Sequence, residues 1–421
     1  MTVINKSKMD SFVNSQRYSL FMFAVCILYT LTALPRLGIS DILKNIIIFG
    51  SLPYLYFNFK SFDKKIFWII LVAILIQVTS WINSLIVVPD IAKSRPNLNP
   101  LSSIFMFVLF ALWINNTKER RLLLYSSLIV SFVLTALYDN YLNGSIHLGL
   151  LGERIDYGMH NAQFTAMLAT VVALLTLYII KDISNDITSQ TPKAYWALAC
   201  TIILFCLFSI YATQARQVWL AFVVIAFLTP LITYKKSNYK KIALFYLTLS
   251  AFIIIFFQVP SIKERLLKES YVIDAVLSGD LTGIPILSVT FRLLSWIEAS
   301  KWFIEHPILG TDFNSISYVI REAQIFKGTD LVRFGHLHSS YFEILVAYGL
   351  IGLLFYIYFY KHLINNIVNS GEKLAISLLV YFLLFWLIIN FFESFNHKGL
   401  GLYAHTIVLG GLYTLQRKKE T

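Results

Sequence analysis

The sequence predicts an all-α, polytopic membrane protein with about twelve transmembrane helices and a large outward-facing loop that carries short helices. Of the 421 residues, 57% are hydrophobic and only 14% are charged, and the mean hydropathy is +0.68. Soluble proteins are about a quarter charged. A bilayer-spanning helix needs about 20 mostly apolar residues, and such runs recur along the whole chain. The runs lack the period-2 alternation expected of barrel strands, so they are predicted as helices.

The predicted spans follow one another with short polar joints between them. Their centres lie near residues 26, 50, 75, 108, 131, 170, 203, 225, 250, 349, 384 and 408. The first span has no cleavage site and is expected to remain as an anchor. Cys26, Cys200 and Cys206 fall inside apolar runs, so we expect buried thiols and neither a disulfide nor a metal set.

Basic residues predict the orientation of the chain. One set of joints holds 20 of the 35 Lys and Arg residues, the opposite short joints hold 7, and the long loop, about residues 259–339, holds 8. Because cytoplasmic loops are rich in Lys and Arg, both termini are predicted to be cytoplasmic. The net charge of +12 is accordingly assigned to contact with membrane lipids, and no nucleic-acid partner is expected.

We interpret residues 1–421 as a single integral membrane domain that contains the loop 259–339. Within the loop, "SVTFRLLSWIEASKWFIE" has apolar residues at roughly helical spacing, and Ser288 or Thr290 is expected to cap that helix. A second short helix is expected from Asn314 to about Ile325. In the tenth span, the glycines at 349 and 352 are interpreted as permitting close approach of another helix.

Unusual polar residues concentrate on the predicted outward face. Arg216 stands in the very short joint "ATQAR", Arg292 begins the loop helix, Arg154 lies in "GERIDYG", and His338 opens the tenth span after His336. Each has a simpler interpretation, since an arginine at a helix end often snorkels to lipid headgroups. The "HLH" sequence suggests a metal, but neither a third histidine nor a tight carboxylate pair occurs at ligand spacing, so no metal or cofactor is expected.

Together these side chains match one kind of substrate. The arginine guanidinium binds phosphate oxygens through a planar fork and keeps its charge. Histidine accepts a proton near neutral pH. The combination at a membrane surface predicts glycosyl transfer from a lipid-linked diphosphate sugar.

Several stretches resemble the O-antigen ligase family, part of a larger ligase/polymerase superfamily of lipopolysaccharide biosynthesis. "YATQARQVWLAF" is similar to its Thr/Ser-x-x-Arg stretch, "SVTFRLLSWIEA" to its loop-helix arginine, "HPILGTDFN" to its His-Pro-x-x-Gly segment and "HLHSSYFEILVAYGLIG" to its His-led span. "ERIDYGMHNAQFTAML" is a looser match. Gln217 departs from the family, which often has a small residue there, and Asp312 and Phe313 occupy the stretch where a second glycine is common.

The resemblance implies a glycosyltransferase of the inner membrane whose large loop and active site face the periplasm. It would move a finished O-antigen from undecaprenyl diphosphate to lipid A–core without a cofactor or a metal. By the motif match, His338 would be the general base, Arg216 and Arg292 would bind the donor diphosphate, and His336 would be a neighbour of the site. Arg154 is added as a diphosphate ligand from its place on the outward face, and Glu343 as a possible neighbour, because an ionisable residue about one turn inside a span needs a partner.

Three alternatives stay open on the sequence. An O-antigen polymerase of the same superfamily would use the same donor but another growing glycan as acceptor. A protein O-oligosaccharyltransferase is less favoured because those chains usually carry a longer C-terminal region. A lipid or solute transporter would be expected to have inverted repeats and intramembrane charges on broken helices, and no clear repeat is found.

Overall fold

A computed structural model describes residues 3–186, 192–233, 239–268, 270–279 and 284–416. Within these ranges all long elements are helical, apart from one isolated β-bridge between Phe62 and Gln416. This confirms the predicted all-α class. Of the basic residues that predict the orientation, Lys235, Lys236 and those at 417–419 lie outside the described ranges.

The helices follow the chain in this order: α1 (Val3–Val13), α2 (Gln16–Ala33), α3 (Ile39–Asn58), α4 (Lys64–Val87), α5 (Asn99–Ser102), α6 (Met106–Ile114), α7 (Lys118–Asn143), α8 (Ser145–Leu150), α9 (Ala162–Asp186), α10 (Lys193–Ala212), α11 (Arg216–Thr233), α12 (Tyr239–Gln258), α13 (Pro260–Leu267), α14 (Tyr271–Ser278), α15 (Ser288–Glu305), α16 (Ser315–Glu322), α17 (Ser340–Val368), α18 (Lys373–Phe392) and α19 (Gly399–Leu412).

A helix covers each of the twelve predicted span centres. Six helices of the described part, namely α4, α7, α9, α10, α17 and α18, are long and apolar enough to cross a membrane. Shorter apolar helices occur at Asn99–Ile114, Arg216–Leu231 and Gly399–Leu412. Several membrane spans are therefore supported, while the total of about twelve stays a prediction.

Helix α9 lies at the centre of the bundle. It packs against α7, α10 and α18. In its most apolar stretch 78% of the residues are buried, whereas only 22% are buried in the corresponding stretch of α10. Outer helices instead expose large apolar side chains, such as Leu247 and Ile254 of α12, as expected for surfaces in contact with lipid. Asn161 caps α9 by accepting hydrogen bonds from the backbone N–H groups of Gln163 and Phe164. The cap fixes where the buried helix begins.

Helix α17 is broken at Gly349, where φ is +58° and ψ is −153°. The loop that follows α15 crosses this break. Leu350 N donates to Pro307 O (2.8 Å). In the other direction, the backbone N–H groups of residues 311 and 312 donate to the carbonyl oxygens of residues 346 and 347 in α17, at 3.1 and 3.0 Å. These bonds pair the backbone N–H and C=O groups of α17 that lose their helical hydrogen bonds at the break. The predicted close approach is therefore real, but the partner is a loop segment and not a helix.

A glycine is required at this crossing. A Cβ at Gly349 would lie 2.5 Å from Ile308 O, and positive φ is a conformation that L side chains rarely adopt. Gly352, by contrast, faces Tyr348 and Ile344 of its own helix. The two glycines thus serve different purposes.

Helix α15 is fixed against the start of α17 and the end of α18. Trp296 donates its indole N–H to Leu337 O (3.0 Å) and stacks on Phe342, with ring centroids 5.3 Å apart. The expected cap at Ser288 or Thr290 is wrong, because Leu287 takes the N-cap position without a side-chain hydrogen bond.

Two smaller expectations are also resolved. The second loop helix is confirmed as α16. Burial holds for Cys26 and Cys206, but Cys200 is exposed on α10, where it faces outward from the bundle.

Candidate active site

A cationic pocket of about 260 Å³ is lined by the starts of α11 and α15 and the end of α13. It brings together the three arginines selected from the sequence, Arg154, Arg216 and Arg292. The lining adds Arg265 and Lys268, which sequence analysis did not select. Among the described residues, no carboxylate lines it. Five cations around one small cavity give it a charge complementary to that of a multiply charged anion.

The joint between α10 and α11 aims Arg216 into this cationic pocket. Gln214, with φ at +50°, donates its side-chain N–H to Gly152 O (2.9 Å). Arg154 donates Nε–H to Thr213 O (3.1 Å). These bonds hold the segment around Arg154 against the joint, so that Arg154 and Arg216 face the same cavity.

The charges in the cationic pocket act on one another. Desolvation lowers the pKa of Arg154, and the positive charges of Arg292 and Arg216 lower it further. Arg216 also donates from Nη1 to the backbone oxygen of Arg265 at 3.4 Å, which ties α11 to α13. Bringing like charges this close costs free energy, and a bound anion would offset that cost.

The second part of the site is a carboxylate held between two imidazoles. His338 Nδ1 lies 3.1 Å from Glu393 Oε2, and His336 Nε2 lies 3.9 Å from Glu393 Oε1. The Glu393 side chain is only 2% exposed, and the two imidazole centroids are 4.0 Å apart. Glu393 directly follows α18, so the pair of His338 and Glu393, called the dyad below, joins the start of α17 to the end of α18.

The pKa values of this cluster have identifiable causes. Burial, the neighbouring His338 and the charge of Lys398 lower the pKa of His336 to about 3. Burial alone would raise the pKa of Glu393, but the hydrogen bond with His338 and the backbone N–H of Ser394 outweigh it and bring that pKa to about 2. Near neutral pH the carboxylate is therefore ionised and His336 is neutral.

Gln163 connects the cationic pocket to the dyad. One end of its amide lies 2.7 Å from Glu393 Oε2 and 2.6 Å from Gln217 Nε2, and the other end lies 2.7 Å from Arg292 Nη2. The orientation that satisfies Glu393 and Arg292 has the amide N–H donating to Glu393 and the amide oxygen accepting from Arg292. A continuous hydrogen-bonded chain thus runs from Arg292 through Gln163 and Glu393 to His338.

Glu343, in the first turn of α17, holds two loops together beneath His338. Its Oε1 accepts hydrogen bonds from Leu337 N (3.0 Å) and Ser394 Oγ (2.6 Å), and its Oε2 lies 3.7 Å from His397 Nε2. The residue is 1% exposed. The side chain is therefore enclosed by the two loops that carry His338 and Glu393, and it does not reach the membrane–water interface.

Non-glycine residues with positive φ occur at the site. His338 has φ at +53°, and Gln214, in the joint before Arg216, has φ at +50°. Such a conformation costs about 1–3 kcal/mol per residue and persists only where the surroundings enforce it. The backbone carrying the imidazole and the joint before Arg216 are both held in this way.

The atoms of His336, His338 and Glu393 that could bind a metal ion all lie within 4.8 Å of one another. This set was missed because its third member, Glu393, directly follows α18 and lies far from the local "HLH" sequence. At His336 the positive charges of Lys398 and Arg292 oppose a divalent cation, whereas the carboxylate of Glu393 favours one.

Residues 199–357 match the family described as O-antigen ligase. The resemblance to this family is thereby confirmed. The matched segment includes Arg216, Arg292 and His338, whereas Gln163 and Glu393 lie outside it. No curated protein matches the chain. Members of the ligase/polymerase superfamily are membrane enzymes of the glycosyltransferase type that act on lipid-linked polysaccharides, and the cationic pocket with its adjacent dyad is compatible with such chemistry.

Four residues of the site were missed on the sequence, and each for a reason. Arg265 and Lys268 belong to a polar, largely exposed stretch that looks like any solvated helix. Gln163 is uncharged and sits just inside a span. Glu393 could have been found, because a carboxylate at the end of a strongly apolar helix is costly to bury unless a polar or charged group pairs with it.

Proposed function

We propose that the protein is an O-antigen ligase that transfers an O-antigen glycan from undecaprenyl diphosphate to lipid A–core at the periplasmic face of the inner membrane. The hydrogen-bonded chain from Arg292 through Gln163 and Glu393 to His338 carries this proposal. It connects a pocket suited to a diphosphate with a group suited to accept a proton, and the family match supports an enzyme of the ligase/polymerase superfamily.

In the proposed mechanism, the donor diphosphate occupies the cationic pocket. Arg216 and Arg292 bind its oxygens through guanidinium forks, and Arg154 adds a third charge. Arg265 and Lys268 close the other side. Negative charge grows on the diphosphate as its bond to the sugar breaks, so fixed cations stabilise the transition state more than the bound donor.

His338 is the proposed general base. Its Nδ1 points at Glu393, so with that nitrogen protonated the lone pair is on Nε2. Glu393 then fixes the tautomer and stabilises the imidazolium that forms, as a buried carboxylate does in a serine-protease triad. Glu393 is a positioning residue in this scheme, and Glu343 holds the loops that carry both partners.

The step balances in atoms and charge. The acceptor hydroxyl oxygen attacks the anomeric carbon of the donor sugar while His338 Nε2 takes the hydroxyl proton. The bond between the anomeric carbon and the diphosphate oxygen breaks, and its electron pair leaves with the diphosphate. The proton then passes to the departing diphosphate or to water, which returns His338 to its neutral form.

Deletion of the gene tests this function in cells. We expect every polymer-capped lipopolysaccharide species to disappear on a gel while lipid-linked polymer accumulates. A core that carries a single O-unit would instead identify a polymerase of the same superfamily. Unchanged lipopolysaccharide would contradict both assignments.

A reconstituted assay tests the same function with purified components. Lipid-linked O-antigen and lipid A–core are mixed with the protein in detergent or liposomes, and donor binding and glycan transfer are measured separately. Transfer without added nucleotide is expected. Failure with this acceptor, together with extension of another lipid-linked glycan, would favour the polymerase.

A further inference from the structure

A second cavity borders the same segment of chain as the cationic pocket. It encloses about 780 Å³ between α2, α3, α6 and α19. His160 and Phe164 line it, whereas Gln163, adjacent in sequence to Phe164, lines the cationic pocket. The start of α9 therefore stands between two cavities of different character. We call this second cavity the apolar pocket.

The apolar pocket has the chemistry of an amphipathic, anionic ligand. Its walls are mainly hydrocarbon and aromatic side chains from helices of the bundle, among them Leu55, Phe67 and Met106. Arg36, Lys44 and Lys398 also line it, with Asp41 as the acidic member. A ligand with acyl chains and negatively charged groups would complement both features.

The apolar pocket also reaches the proposed catalytic group. Lys398 contributes to lowering the pKa of His336, which lies 4.0 Å from His338 between ring centroids. Phe164, on the wall, contacts Phe395 two residues from Glu393, with ring centroids 4.9 Å apart. A headgroup held near Lys398 is thus adjacent to the dyad, on a different side from the arginines.

We propose that the apolar pocket binds the lipid-anchored acceptor, through acyl chains on its apolar walls and phosphate groups near Arg36, Lys44 and Lys398. This inference rests on the proposed function, since the reaction needs two lipid-anchored substrates at one imidazole. The cationic pocket takes the donor diphosphate. The two substrates would then approach His338 from opposite sides of the segment that opens α9.

Gly38 permits a test by filling the apolar pocket. It lines the pocket, adopts right-handed helical angles, and has nothing within 4 Å of the position a Cβ would take. Gly38→Trp should therefore occupy the cavity without disturbing packing. Ile39→Trp is the matched control, because Ile39 is the next residue, is exposed, and is not part of the lining.

Lys398→Gln and Arg36→Gln remove charges from the apolar pocket and do not depend on the tolerance of the site for a large ring. Kinetics are measured with purified undecaprenyl-diphosphate-linked glycan and lipid A–core. For Gly38→Trp and for each charge variant we expect the KM for acceptor to rise about tenfold or more, from the loss of a charge-assisted contact or of pocket volume. Donor affinity and the Ile39→Trp control should stay at the wild-type value.

Direct binding separates this inference from the proposed function. Binding of intact and of phosphatase-treated lipid A–core to the protein is measured by native mass spectrometry, without donor. Intact lipid should bind the wild type, bind Gly38→Trp at least tenfold more weakly, and bind better than the dephosphorylated lipid.

Three results would overturn the inference. A loss of donor affinity in Gly38→Trp, with unchanged acceptor KM, would assign the apolar pocket to the prenyl chain of the donor. Equal binding of lipid A–core to the wild type and to all variants would show that the acceptor binds outside this cavity. Equal binding of intact and dephosphorylated lipid would remove the charged contacts. Absence of transfer by a wild type that binds lipid A–core would instead count against the proposed function alone.

Discussion

At the scale of single residues, the role of His338 is the sharpest prediction. His338→Ala should lower glycan transfer by about 10²–10⁴-fold, the usual contribution of a general base, while the protein still binds the lipid-linked donor through its arginines. His336→Ala should be much milder. Transfer and donor binding are measured separately in the reconstituted assay. Normal transfer by His338→Ala would place the base elsewhere, and loss of donor binding would make His338 a substrate ligand.

The geometry of the guanidinium is tested at Arg216. Arg216→Lys keeps the charge but replaces a bidentate fork with a point charge, so transfer should fall at least tenfold, the effect of losing about one charge-assisted hydrogen bond. Arg321→Lys, on the exposed face of α16 outside the cationic pocket, is the matched control. Wild-type rates for Arg216→Lys would reduce Arg216 to an anchor at the membrane surface.

Glu393 tests the part of the site that sequence analysis missed. Glu393→Gln removes the negative charge that fixes the tautomer of His338, and kcat should fall on the order of 10²–10⁴-fold with little change in donor KM. Glu372→Gln is the control at the opposite end of α18, where the native carboxylate pairs with Arg121 at 2.5 Å. It should lower stability without lowering transfer per folded molecule. Equal kcat losses in both variants would indicate a purely structural role for Glu393.

Chelation tests the His336, His338 and Glu393 cluster as a metal site. We expect excess EDTA to leave transfer unchanged, because nearby cations oppose a divalent ion and the proposed step moves only a proton at His338. Loss of activity with EDTA, restored by one added divalent metal, would assign the cluster to that metal.

At the scale of elements, the break in α17 gives a prediction about stability. Gly349→Ala would force a side chain into a positive-φ position and against Ile308 O, so it should destabilise the fold by about 1–3 kcal/mol. Gly399→Ala, where a Cβ meets nothing within 4 Å, is the control. Thermal unfolding in detergent measures both. Equal stability of the two variants would mean that the loop crossing tolerates a Cβ.

The helices themselves could be predicted well from the sequence, and their interruptions less well. Apolar runs of span length fixed the helix centres, since hydropathy is a property of each run alone. The break at Gly349 was read as a packing feature. Its cause, the carbonyls of Pro307 and Ile308 arriving from another part of the chain, is a tertiary contact that no local pattern records.

At the scale of the whole molecule, some residues of the site can be predicted from a local pattern, and others depend on tertiary packing. Arg216 and His338 stand out locally, because each is a polar residue beside an apolar run. Gln163, Arg292 and Glu393 meet only because central α9, loop helix α15 and α18 pack together, and their sequence separations give no hint of that meeting. The two-cavity arrangement likewise depends on where α9 begins, because Gln163 and Phe164 of its first turn line different cavities.

Acid stability is the property in which the whole site acts together. The folded pKa of His336 is about 3 and that of His397, lowered by burial and the charge of Lys398, is about 4. Both lie below the unfolded value of about 6.5. As pH falls below 6.5, the unfolded chain therefore binds protons at these imidazoles that the folded chain does not bind, and the free energy of unfolding decreases. Glu393 acts in the same direction, because its folded pKa of about 2 lies below its unfolded value. Its stabilisation is present above about pH 4.3 and is lost as pH falls towards 2.

The thermal midpoint in detergent should therefore fall steadily from pH 6.5 to pH 3. The double variant His336→Asn and His397→Asn should flatten the part between pH 6.5 and 3, since those protons are no longer taken up on unfolding. Glu393→Gln should flatten only the part below about pH 4.3. A profile that the double variant does not alter would show that these imidazoles are not held neutral by the fold.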